Sequence, residues 1–277
     1  MERGNNVNTD VRSSISQLVE AISALEEIHA LGQTGDINFI PEPGQSDIDI
    51  FVYCDSIPSL EQRQQVYERC KDLYEESNLQ VCEGGVWGTG DTFIIQGVET
   101  MFMYFDIDDT LNYLNEILAG NHPDSVKGFY PVGRCSTLMN IHSLYDDSGF
   151  FDRIKMTLSI YPEQLSEQLT QFHTSHSIDE EDFGRALLRR DVLFYHHVIE
   201  HCIDHFLQAV YAANKTYFPS RKRTQQYLDS FSLKPVDCYH RITEVIRHGS
   251  TPEGIETSLS MWTSLVAEFN TLTGRGN

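Results

Sequence analysis

Strand-like periodicity is confined to the first half of this chain, and that asymmetry limits the folds open to it. Two-residue alternation marks "DIDIFVY" (47–53) as a strand. Further strands are expected at "INFI" (37–40), "LQVC" (79–82), "TFIIQ" (92–96) and "ETMFMYFD" (99–106), the last two joined as a hairpin through Gly97 and Val98. Helical spacing of apolar residues runs through 11–30, 59–77 and 108–120, the last closing at Gly120. Beyond about residue 150 every segment reads as helix, from "PEQLSEQLTQFHT" to "GIETSLSMWTSLVAEFNTL". The expected fold is therefore α+β: a mixed sheet with helices over residues 1–148, followed by an all-α helical bundle over 149–277.

Apolar residues make up 40% of the 277, enough for both parts to bury a core. No apolar run reaches the roughly 18 residues of a membrane span, and "MERGNNVNTDVRSS" lacks the apolar segment of a signal peptide. A soluble, cytoplasmic protein with no membrane partner is expected. Six cysteines lie far apart without a Cys-x-x-Cys pair, which reads as free thiols in a reducing compartment. The formal charge of −21 repels phosphate backbones, so nucleic acid is not an expected partner, whereas a cationic small molecule is attracted.

Two Asp-x-Asp motifs compete for the site. "FDIDDTL" (105–111) resembles the opening signature of haloacid-dehalogenase-type phosphatases, with Asp106 as nucleophile and Asp108 as its acid/base partner. That fold needs further strand–helix units downstream, of about 30 residues each. The next acidic pair, Asp146–Asp147, follows too soon for them. Acids at 108 and 109 also suit the cap and first turn of a helix. "QSDIDIFVYC" (45–54) has better support. Asp47 and Asp49 project from one strand face, where a shared divalent cation relieves their repulsion. Oxygen ligands favour Mg2+ completed by substrate phosphates.

The stretch "ALGQTGDINFIPEPGQSDIDIFVYC" resembles the polymerase-β-like nucleotidyltransferase superfamily, whose helix ends in Gly-Ser before Asp-x-Asp/Glu on the next strand. The segments 143–165, 188–224 and 234–242 are similar to the helical portion of a small-molecule branch of it, laid out like antibiotic-modifying adenylyltransferases. The resemblance implies a nucleotidyltransferase-like sheet domain in which Asp47 and Asp49 are catalytic and hold Mg2+ on ATP or another NTP. It implies transfer of a nucleoside monophosphate to a hydroxyl of a small, cationic acceptor. Gly32, Gln33, Thr34 and Ser46 would line the phosphates. Here the family's Ser is Gln33, and its third carboxylate position is Met101. Glu99, on the face of Met101 by parity, is the substitute; Asp106 falls on the opposite face, and a site with no third carboxylate stays open. In that last case the protein binds a nucleotide or a partner without catalysing transfer.

Three other features stand out. Lys222 in "FPSRKRT" suits a β- or γ-phosphate as readily as it suits a solvated helix end. His197, His201 and His205, spaced by four, form a stripe that can ligate zinc or pack between helices. Trp87 in "GGVWGTGD" either stacks on a base or plugs a sheet edge.

Overall fold

The computed structural model describes residues 4–84, 88–125 and 129–275; Trp87 lies outside them. Its contacts divide the chain into two compact units, Met1–Asn115 with Thr137–Ile160, and Glu116–Ser136 with Tyr161–Asn277. The architecture is α+β, with the sheet toward the N-terminus and helices after it. Among the described residues no helix is long and apolar enough to cross a membrane.

The first unit contains α1 (Gly4–Ser23), β1 (Ile28–Gln33), β2 (Asp47–Cys54), α2 (Leu60–Arg69), β3 (Glu76–Glu83), β4 (Thr89–Ile95) and β5 (Val98–Asp106). It also holds most of α3 (Ile107–Leu118), the end of α4 (Pro131–Asn140), β6 (His142–Asp146) and α5 (Phe150–Leu158). The sheet order is β3-β4-β5-β2-β1-β6. Only the central β2 and β5 run parallel; their neighbours pair antiparallel. One face carries Ile48, Ile50, Val52, Phe93, Phe102 and Tyr104 against Val11, Ile15, Leu18 and Ile22 of α1 and Val66 and Tyr67 of α2.

Four expectations are corrected. The helix expected through residue 30 ends at Ser23, and Gly32–Gln33 belong to strand β1 rather than to a helix end. The cause is burial on both faces: Ile28, Ala30 and Leu31 are covered above and below, so their apolar run does not alternate and merges with the helical period before it. "INFI" is not in the sheet; it lies in the β1–β2 connection, with Phe39 exposed. The helix expected over 59–77 stops at Arg69, capped by a reciprocal Ser59–Gln62 box at its start, and β3 begins at Glu76. A sixth strand, β6, carries no strand period in the sequence, because it is a polar edge with little burial. The expected hairpin forms, but its turn is Gln96–Gly97 rather than Gly97–Val98; both turn residues have positive φ, which matches the twist of flanking strands.

Gly32 is needed for packing. A Cβ there would lie 2.6 Å from Ile141 Cγ1 and 2.9 Å from Phe151 Cζ, both buried side chains. Gly32→Ala is expected to cost about 1–3 kcal/mol by overpacking. A denaturation midpoint equal to or above that of the wild type would contradict this.

The second unit is built on α8 (Val192–Ala213), which is buried along most of its length. It is joined by α6 (Glu163–Ser175), α7 (Glu180–Arg189), α9 (Thr224–Ser230), α10 (Cys238–His248) and α11 (Ile255–Leu272). Asp179 and Asp191 cap α7 and α8 by accepting from the Asp182 and Phe194 N–H groups. Trp262 of α11 is wholly buried against Phe206 and donates to the Ser177 carbonyl at 2.8 Å.

Candidate functional site

Alternation puts Asp47 and Asp49 on the sheet face opposite the α1–α2 core, and the parallel register supplies their neighbours. Asp47 lies across from Glu99, and Asp49 across from Met101. Paired residues of adjacent strands point to the same side, so two aspartates, a glutamate and a methionine share one face at the starts of β2 and β5. Asp47 and Glu99 are exposed, while Asp49 and Met101 are half-buried. On the far side of β5, Thr92 and Ile94 continue the face through their pairing with Met101 and Glu99.

The turn residues divide. Thr34 N–H donates to the Asp49 carbonyl at 3.0 Å, extending the β1–β2 ladder and setting Thr34 across from Asp49. Gln33 pairs with Ile50 and so belongs to the opposite, core-facing side. Gly32 shares the aspartate face but is covered by Ile141 and Phe151. Ser46 Oγ is 3.4 Å from Asp47 Oδ1. The β1–β2 connection returns against the hairpin, where a Cβ on Gly97 would meet Pro43 at 3.1 Å. Lys222 belongs to the second unit, where it is exposed; beside it Arg221 pairs with Glu200 at 3.0 Å.

Asp106 and Asp146 have structural duties. Asp106 Oδ1 accepts from Asp109 N–H at 2.9 Å and caps α3, so "FDIDDTL" is a strand running into a capped helix. By register Asp106 faces with Cys54, away from the Asp47–Asp49 side. Asp146 accepts from Phe150 and Phe151 N–H and holds the start of α5. Among the described residues, the chain after α3 adds one antiparallel edge strand and helices, not a doubly wound sheet.

Among the described residues no three His, Cys, Asp or Glu side chains converge as a metal cluster. Two strand carboxylates nevertheless fit Mg2+ in the manner such ions favour, with protein oxygens filling one or two positions and phosphates and water the others. Asp47 and Asp49 would hold it, with Glu99 beside Asp47.

At the other end of the same strands lies a cluster the sequence did not reveal. His29 Nε2 is 2.8 Å from Asp55 Oδ2, and its Nδ1 is 3.4 Å from Asp147 Oδ1. The Asp55 contact above all raises the His29 pKa, holding the ring toward its charged form. His29 and Asp55 border a cavity of about 310 Å³ that Phe150, Arg153 and Thr157 also line. No local signal joins positions 29, 55 and 147; only the register does.

A family described as a domain of unknown function, DUF4037, matches residues 130–223. No curated protein matches the chain. Among solved structures, the chain is similar to the crystal structure of a nucleotidyltransferase-like protein from Exiguobacterium sibiricum 255-15. That likeness covers 94% of this chain and 78% of the other, at 11% identity and a TM-score of 0.49.

Proposed function

We infer that the face bearing Asp47 and Asp49 binds a nucleoside triphosphate with Mg2+ and moves its nucleoside monophosphate to a small-molecule hydroxyl. The observation that carries this reading is the β2–β5 register, which adds Glu99 to the two aspartates on one accessible face. In the transfer, the hydroxyl oxygen bonds to the α-phosphorus while the bond to the bridging oxygen breaks, releasing pyrophosphate; the hydroxyl proton passes to Glu99 or to water. Bound Mg2+ supplies neutralisation of phosphate charge. The protein's own contribution is to hold the metal-binding oxygens on a rigid strand pair and to align the reactants. The net charge of −21 favours a cationic acceptor.

Met101 across from Asp49 favours a second reading: nucleotide binding without transfer. Both readings require the aspartates to bind. Calorimetric titration of Mg-ATP and Mg-GTP is expected to show saturable binding in the wild type and loss of at least about tenfold in affinity, or about 1.4 kcal/mol, in the Asp47→Asn/Asp49→Asn double variant. Unchanged binding in that variant would overturn both.

A further inference from the structure

The helical unit carries a row of three imidazoles from two helices. His173 Nδ1 of α6 lies 2.9 Å from His205 Nδ1 of α8, and His205 Nε2 lies 3.2 Å from His201 Nε2 one turn earlier. His173 and His205 are each 1% exposed, whereas His201 faces solvent. The His205 ring is held flat by His176, stacked at 5.1 Å between centroids and 27° between planes.

The proton positions follow from the buried end. Pro123 acts on the His173 ring as a hydrogen-bond partner, and proline has no N–H, so its carbonyl accepts. His173 Nδ1 is engaged with His205, so the donor to Pro123 is Nε2–H. A neutral His173 then offers only a lone pair at Nδ1, and His205 must donate Nδ1–H to it. His205 Nε2 is left with a lone pair aimed at His201.

We propose that His201 Nε2 and His205 Nε2 together ligate a divalent transition-metal ion of the zinc class, with His173 as the residue that positions His205. A tetrahedral site with metal–nitrogen bonds of about 2.0–2.1 Å has a ligand–ligand edge of about 3.3 Å, close to the 3.2 Å found. Ligating histidines commonly donate their other N–H to a fixed acceptor, the part played here by His173 Nδ1. Imidazole nitrogens suit zinc, nickel or copper rather than magnesium. Asp124 adds negative charge near His205. Asp204 is occupied, accepting from Tyr130 at 2.6 Å and Gln208 at 3.0 Å. Water fills the remaining positions, since no third side chain converges among the described residues.

The test is calorimetric titration of Zn2+ into the reduced full-length protein, together with ring-nitrogen NMR. Binding of one ion with shifts at His201 Nε2 and His205 Nε2 is expected. His201→Gln, at an exposed position, should abolish both, while His197→Gln should change neither. His173→Asn, checked for folding by circular dichroism, should weaken binding about 10–100-fold. The Asp47→Asn/Asp49→Asn variant should bind Zn2+ here as the wild type does, which separates this site from the nucleotide reading. Absence of the ring-nitrogen shifts, or equal Zn2+ affinity in His201→Gln, overturns the proposal.

Discussion

Arg63→Ala is expected to lower the unfolding free energy of the sheet unit by about 3–5 kcal/mol, the cost of leaving a buried charge without its partner. Arg63 of α2 and Asp91 of β4 are 1% and 0% exposed, with Nε 2.9 Å from Oδ2. Asp91 also accepts from Tyr67 O–H at 2.9 Å and from Gln80 N–H at 3.0 Å. Tyr104 reaches the Tyr67 hydroxyl, and the guanidinium lies 5.0 Å from the Tyr104 ring centroid. A further Arg63 nitrogen donates to the Pro58 carbonyl at 3.0 Å. Burial pushes the Asp91 carboxyl upward, and the Gln80 amide and Arg63 pull it back most. Removing Arg63 therefore strips both a charge partner and a packed stem from the middle of the core. Arg63→Met with Asp91→Leu should recover much of the loss, because the double change leaves no orphaned charge. Hydrogen exchange of β2, β4 and β5 amides confines the measurement to this unit. A loss below about 1 kcal/mol in Arg63→Ala, the scale of an exposed pair, would refute the buried-network account.

That network shows where the sequence is silent. Arg63 sits in "LEQRQQVYER", a mostly polar stretch in which Val66 and Tyr67 mark the buried face but nothing about a charged side chain announces that it turns inward with them. Asp91 stands beside Gly90 and reads as part of a turn. The fold class was legible because α1 buries a single face, β2 and β5 alternate over their first residues, and the segments after them show no two-residue period. β1 was obscured by burial on two faces and β6 by burial on neither. In the candidate site, parity on one strand was enough to group Glu99 with Met101 and to send Asp106 to the other face. Which of them meets which aspartate depends on pairing about fifty residues away, and only the β2–β5 register decides it. The histidines repeat the lesson. The four-residue spacing of His201 and His205 is local and visible, whereas His173, which fixes their protons, comes from another helix.

Met101→Asp tests whether that register marks a catalytic site. Neighbouring strands lie about 4.8 Å apart, so a carboxylate at position 101 would stand directly across from Asp49, with Asp47 and Glu99 one pleat away. Three or four carboxylates at that spacing repel one another unless a cation sits among them. Without Mg2+ the variant should therefore melt below the wild type, and added Mg2+ should raise its melting temperature more than it raises the wild type's. With Mg2+ and a triphosphate, pyrophosphate release should rise about 100-fold, comparable to the effect of one electrostatic group in a preorganised site. Adding Asp47→Asn to Met101→Asp should remove the gain. A metal-dependent melting shift without pyrophosphate release would mean that the face holds a cation but does not perform transfer, leaving nucleotide binding as the surviving reading. Neither effect would mean that Asp49 and position 101 do not share a metal, and the transfer reading would fall with them.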